Sequence, residues 1–65
     1  MNLKHLEYAV AVTQYGSIRK AAQVLLVSQP YLSGIIRSLE QELGYDIFIR
    51  SGSGISLTPN GKDFI

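Results

Sequence analysis

The 65-residue chain has no cysteine and a single histidine. Disulfides and thiolate metal sites are thereby excluded, and a reducing cytosol is the compartment that fits. With one imidazole and no carboxylate cluster at workable spacing, neither a metal centre nor a general acid–base pair is expected. Long apolar runs are missing as well. The longest, Tyr8 to Val12 and Val24 to Val27, fall far below the roughly 18 to 20 residues that cross a bilayer. No basic-then-apolar leader precedes them, so no secretory signal is expected. There are no repeats, low-complexity tracts or linkers. A chain of this size buries only about 60% of its unfolded surface, which leaves little room for a catalytic pocket. These absences point away from enzymes, secreted scaffolds and membrane proteins, and towards one small cytoplasmic domain.

Acid is missing from half the chain. The net charge is only +1, yet between Tyr8 and Leu39 the charged residues are Arg19, Lys20 and Arg37 alone. Glu40, Glu42 and Asp46 then follow closely. A purely basic region beside an acidic one is the pattern of a chain with one face turned to a polyanion.

What is present reads as helices first. Asn2 is an N-cap candidate, Leu3, Leu6 and Val10 share one helical face, and Gly16 is a C-cap candidate. Ser17 caps a short second helix, IRKAAQVL, whose buried side is predicted to be Ile18, Ala21, Ala22 and Leu25. The paired alanines permit close helix approach. Leu26, Val27 and Ser28 leave a connection too short for a flat antiparallel pair, so the next helix crosses steeply, as in a helix-turn-helix. That helix, residues 28–43, has Ser28 as its cap, Pro30 in its first turn and Gly44 at its end. Its apolar stripe is Leu32, Ile35, Ile36, Leu39 and Leu43. After Gly44 the period changes. YDIFIR reads as a strand, SGSG as a turn and ISL as a second strand. Thr58 and Pro59 then start a fourth helix, cut off at Ile65. A chain that stops two turns into a helix is expected to be a fragment of something longer.

This order predicts a mainly α fold with a small β-hairpin, a winged helix-turn-helix of three helices and a two-stranded wing. Residues 1–58 would form the domain and 59–65 the start of a further helix. With the stripe packed inward, the third helix turns Gln29, Pro30, Tyr31, Ser33, Gly34 and Arg37 outward, into a major groove wide enough for one helix. Gln29 suits paired hydrogen bonds to adenine, and Ser33 suits a base edge or a phosphate. Pro30 and the Tyr31 ring suit a thymine methyl, and Arg37 suits phosphate or guanine. Gly34 permits close approach but reads nothing. Ser17, Arg19, Lys20 and Ser28, at the starts of the second and third helices, are candidates for phosphate contact, where exposed amides also attract anions. Arg50 and Ser53 are the corresponding candidates in the wing. Glu40 and Glu42 come late, where the helix leaves the groove.

The run GSIRKAAQVLLVSQPYLSGIIRSLEQELGYDIFIRSGSGISLTPNGKDFI resembles the N-terminal DNA-binding domain of LysR-type transcriptional regulators. The resemblance is carried by Gly16-Ser17, Ala21-Ala22, Val27-Ser28-Gln29-Pro30, Leu32-Ser33, Ile36, Leu39-Glu40 and Leu43-Gly44. Downstream it continues through Phe48, Arg50, Gly52, Leu57-Thr58 and Gly61. It implies a bacterial regulator that binds double-stranded promoter DNA as a homodimer or homotetramer. It also implies that the helix begun at Thr58 continues as a linker pairing two subunits. A small-molecule co-inducer would be bound by a C-terminal domain beyond this chain, and no cofactor by this fragment. Gln29, Pro30 and Ser33 match positions that such proteins place in the major groove.

The chain also departs from that pattern. A long polar or basic residue is usual at Gly34, an arginine is frequent at Ser53, and aromatics are common at Ala9 and Ile18. Fewer charged contacts imply a shallower salt dependence of binding. The competing reading is a winged helix that binds protein instead of DNA. Such domains usually present an acidic or apolar recognition face, whereas Gln29 to Arg37 is polar and basic.

Overall fold

The computed structural model describes residues 2–51 and 54–65. Three helices, α1 (Leu3–Tyr15), α2 (Ile18–Leu25) and α3 (Gln29–Leu43), precede a hairpin of β1 (Phe48–Ser51) and β2 (Gly54–Leu57), and α4 (Pro59–Phe64) closes the order. The winged helix-turn-helix expected from the periodicity is the fold observed.

Local chemistry sets the helix ends. Asn2, Ser17, Ser28 and Thr58 each accept, through a side-chain oxygen, the backbone N–H three residues on, at 2.9, 3.1, 3.1 and 2.9 Å. Each cap satisfies one of the donors a helix start leaves unpaired. Gly16 and Gly44 end α1 and α3 with φ of 66° and 80°, the left-handed conformation that costs glycine least. The turn from α2 to α3 meets the same need with Leu26 at φ 60°.

One core lies between the three helices and the base of the hairpin. Its largest fully buried side chains are Leu32, Ile36, Leu39, Ile47 and Val12. Burying a side chain of this size contributes roughly 1.5–3 kcal/mol, so the buried stripe of α3 decides which face that helix turns outward. Leu43, the last residue of the expected stripe, is only partly buried. Ala21 and Ala22 are buried on α2, with Ile18 and Leu25 packed at the edge.

Three expectations are corrected. On α1 the face bearing Leu3, Leu6 and Val10 is not the inner one: Leu3 is 72% and Val10 48% exposed. The buried residues are Tyr8, Ala9, Ala11 and Val12. Small side chains let helices cross closely, and the alanines of α1 share a single cluster with those of α2, so the alanine-bearing side wins over the longer aliphatics. The strand expected over residues 45–50 begins only at Phe48. The Ile47 backbone is engaged elsewhere: its N–H donates to the Glu40 carboxylate and its carbonyl accepts from Thr58 N–H, at 2.8 and 2.9 Å. The two strands pair antiparallel from Phe48 with Leu57 to Ser51 with Gly54. Ser51 and Gly54, expected as turn residues, are therefore strand residues, and the connection narrows to residues 52 and 53, which lie outside the described residues.

Candidate nucleic-acid interface

The stripe that buries Leu32, Ile35, Ile36 and Leu39 leaves the opposite side of α3 outward. Gln29, Pro30, Gly34 and Arg37 are exposed there, and Ser33 is half-buried. Tyr31 is 54% exposed, but its ring also meets Tyr8 of α1 edge-on, with centroids 6.5 Å apart and planes at 73°. One side of the ring is thus held against the domain while the other stays open, which limits how far it can swing towards a ligand. Apart from the local backbone of α3 and the two neighbouring residues, no atom lies within 4 Å of the position a Cβ would take at Gly34.

The fold brings basic groups from separate elements to the same side as the start of α3. A shallow cavity of about 200 Å³ is lined by Ser17, Ile18 and Arg19 at the start of α2, Gln29 at the start of α3, and Arg50, Gly54 and Ile55 of the hairpin. A wider cleft of about 660 Å³ runs between the second half of α3 and β1, bordered by Arg37, Glu40, Gln41, Tyr45, Asp46, Ile49 and Arg50. Arg50 borders both, so it stands between Arg19 on one side and Arg37 on the other. Among the described residues no hydrogen bond or ion pair engages the side chains of Arg19, Lys20, Arg37 or Arg50. Unpaired, exposed cations remain available to a polyanion without first breaking an internal contact.

The two serines of the site have a structural task as well. Ser17 accepts from Lys20 N–H and Ser28 from Tyr31 N–H, both at 3.1 Å. Each hydroxyl still has its own proton to donate to a phosphate oxygen. Lys20 and Ser28 are exposed but line neither concavity. Ser53, expected at the tip of the wing, lies outside the described residues.

Glu40 has a role that spacing does not reveal. Its Oε2 accepts from Ile47 N–H at 2.8 Å and Phe48 N–H at 3.2 Å, joining α3 to the start of β1. Thr58 continues the chain of contacts. Its hydroxyl lies 2.6 Å from the Asp46 carbonyl oxygen, to which it donates, while it caps α4 through Gly61 N–H. The cap itself is legible from Thr58-Pro59, but the reach to Asp46 spans twelve residues, and no local signal marks it.

The model of the family described as "Bacterial regulatory helix-turn-helix protein, lysR family" matches residues 3–62. The HTH-type transcriptional regulator YcgK of Bacillus subtilis is 45% identical over 65 residues, all of this chain and 20% of its own length. BenM, an HTH-type transcriptional regulator of Acinetobacter baylyi, is 44% identical over 64 residues, 98% of this chain and 21% of its own. The chain thus spans about a fifth of the length of the curated relatives it matches. A crystal structure of the CbnR DNA-binding domain with DNA superimposes with a TM-score of 0.94 at 39% identity, over 98% of this chain and 74% of that one. Among the described residues no helix is long and apolar enough to cross a membrane.

Proposed function

The chain belongs to the LysR family of bacterial regulatory helix-turn-helix proteins, and from that premise we propose that it is a sequence-specific DNA-binding domain of a transcriptional regulator, with α3 seated in the major groove. The observation that carries this reading is the grouping of Ser17, Arg19, Gln29 and Arg50, from three separate elements, around one depression at the start of α3. The solved CbnR domain, which is 39% identical to this chain, was crystallised with DNA, and that supports DNA as the ligand.

In this reading Gln29 reads a base edge by paired hydrogen bonds, Ser33 a base or phosphate, and Pro30 with the open side of Tyr31 a thymine methyl. Arg37 reaches phosphate or guanine. Ser17, Arg19, Lys20, Ser28 and Arg50 position the domain on the backbone, and Ser53 adds a wing contact to phosphate. Residues 59–65 begin a helix that pairs subunits, so the whole protein acts as a homodimer or homotetramer in the cytoplasm. A small-molecule co-inducer binds elsewhere in that protein, and the present domain needs no cofactor and performs no catalysis.

The test is a gel shift with the DNA upstream of the protein's own gene, at two salt concentrations. Binding at low salt that weakens as salt rises supports the proposal. A folded domain that shifts no duplex at low salt favours the protein-binding alternative instead. Because few cations face the groove, the salt slope should be shallow. A slope corresponding to ten or more neutralised phosphates per dimer contradicts that expectation.

A further inference from the structure

Of the described glycines, all but one are accounted for inside the domain. Gly16, Gly44 and Gly54 have positive φ, and a Cβ on Gly61 would overlap the Ile47 carbonyl. Gly34 has neither reason. Its backbone is helical, it sits in the middle of α3, and beyond the local helix backbone and its two neighbours an added Cβ would meet nothing within 4 Å. A mid-helix glycine lowers helix stability relative to alanine, so nothing within the domain favours it.

Gly34 lies one turn beyond Pro30 and three residues before Arg37, on the exposed side of α3. Residues four apart stack along one helical face, so the Pro30 ring and the Gly34 α-carbon form a bare strip of carbon one side chain wide. We propose that this notch is a specificity determinant, a seat for the 5-methyl group of one thymine in the major groove; the proposal rests on the DNA-binding reading above. A thymine methyl is the one major-groove group that gains from contact with carbon. A base edge offering only donors and acceptors at that spot would give up water for no partner. An added Cβ at residue 34 would occupy the space the methyl needs.

A methyl exchange between protein and DNA tests this. Duplexes are selected from a random pool by the wild-type chain, and each thymine of the selected site is replaced in turn by uracil, which lacks only the methyl. At one position uracil should weaken wild-type binding several-fold. Gly34→Ala should melt at a higher temperature than wild type yet bind the thymine site roughly tenfold more weakly, the scale of one misplaced methyl in a fitted pocket. On the uracil duplex Gly34→Ala should recover, its own methyl filling the space vacated. Gly34→Ala that binds the thymine site as tightly as wild type overturns the inference, as does a wild-type chain indifferent to uracil at every position. Either result leaves DNA binding itself intact. Failure of the wild-type chain to enrich any duplex at low salt is a different result, and overturns the DNA-binding reading together with this one.

Discussion

On the outer face of α3, the side chains of Gln29, Pro30 and Arg37 are exposed and engage no partner among the described residues. At the junction of α3, the hairpin and α4 the situation is reversed. Glu40 accepts two backbone N–H groups, Thr58 binds both Asp46 and Gly61, and Gly61 sits against the Ile47 carbonyl with no room for a methyl. The difference separates two tasks. A surface that meets a ligand leaves its donors free, because each internal bond would have to break on binding. A junction that sets the angle between a recognition helix and a wing must leave nothing free, because every unsatisfied group is a route to movement. Ile47 is the centre of the second arrangement, with its side chain in the core, its N–H bonded to Glu40 and its carbonyl to Thr58.

The junction should therefore be where small changes cost most. Gly61→Ala forces a methyl into the Ile47 backbone and should destabilise the domain by about 2–3 kcal/mol, the upper range for overpacking. For a domain of this size that lowers the melting temperature by on the order of 10 °C or more. Thermal unfolding followed by circular dichroism decides it. An unchanged melting temperature would mean that α4 rides freely on the hairpin, and the contrast with α3 would collapse.

Glu40→Ala comes next. It leaves the Ile47 and Phe48 amides without their charged acceptor and should cost about 2 kcal/mol, whereas Glu40→Gln, which keeps an oxygen without the charge, should cost roughly half as much. Urea denaturation measures the loss. Amide exchange assigns it, since the Ile47 and Phe48 protons should exchange faster while those in the middle of α1 change little. Ile47 and Phe48 protection unchanged from wild type in both variants would show that the carboxylate is a bystander.

These two sites also mark what reading along the chain can and cannot see. Helix starts are legible residue by residue, because an N-cap is a contact over three positions: Asn2, Ser17, Ser28 and Thr58 all cap at the expected positions. The inner face of α3 was legible for a similar reason, since its stripe has only one way to be buried. The inner face of α1 was not. Apolar residues lie on both sides of that helix, and the choice between them is made by the small side chains available for packing with α2, a property of the pair and not of either helix. The outer face of α3 followed from the inner one, which is why its candidate residues emerge together on one surface. That Arg50 stands between Arg19 and Arg37 depends on how the hairpin folds back, and spacing carries no trace of it. The Glu40 contacts are invisible for the same reason.

The turn that leads into α3 extends the comparison to the reading side. Leu26 adopts φ 60° and ψ 41°, where a β-carbon crowds the following carbonyl, and it is 90% exposed. The strain is not offset by burial, so Leu26→Gly should stabilise the domain by about 0.5–1 kcal/mol, the left-handed penalty less the extra chain entropy of glycine. A gain in urea midpoint with unchanged DNA affinity would place this strain outside the interface. A loss of stability would mean that the leucine side chain packs more firmly than its exposure indicates.

The smallest effect on folding is expected from the cations. Arg37 and Arg50 are exposed and unpaired among the described residues, so alanine at either should change stability by less than about 0.5 kcal/mol. Binding should respond instead, and in a form that identifies the contact. An arginine that meets phosphate weakens all duplexes alike and lowers the salt slope by about 1 when removed. An arginine that reads guanine leaves the slope closer to its original value and relaxes preference at one base pair. Arg50, on the strand between two concavities, should follow the phosphate pattern. Measuring affinity at several salt concentrations on selected and scrambled duplexes separates the two for each residue. If Arg37→Ala instead lowers the urea midpoint as far as Glu40→Ala does, the outer face of α3 is bound into the fold after all, and the division between a free surface and a fixed junction fails at Arg37.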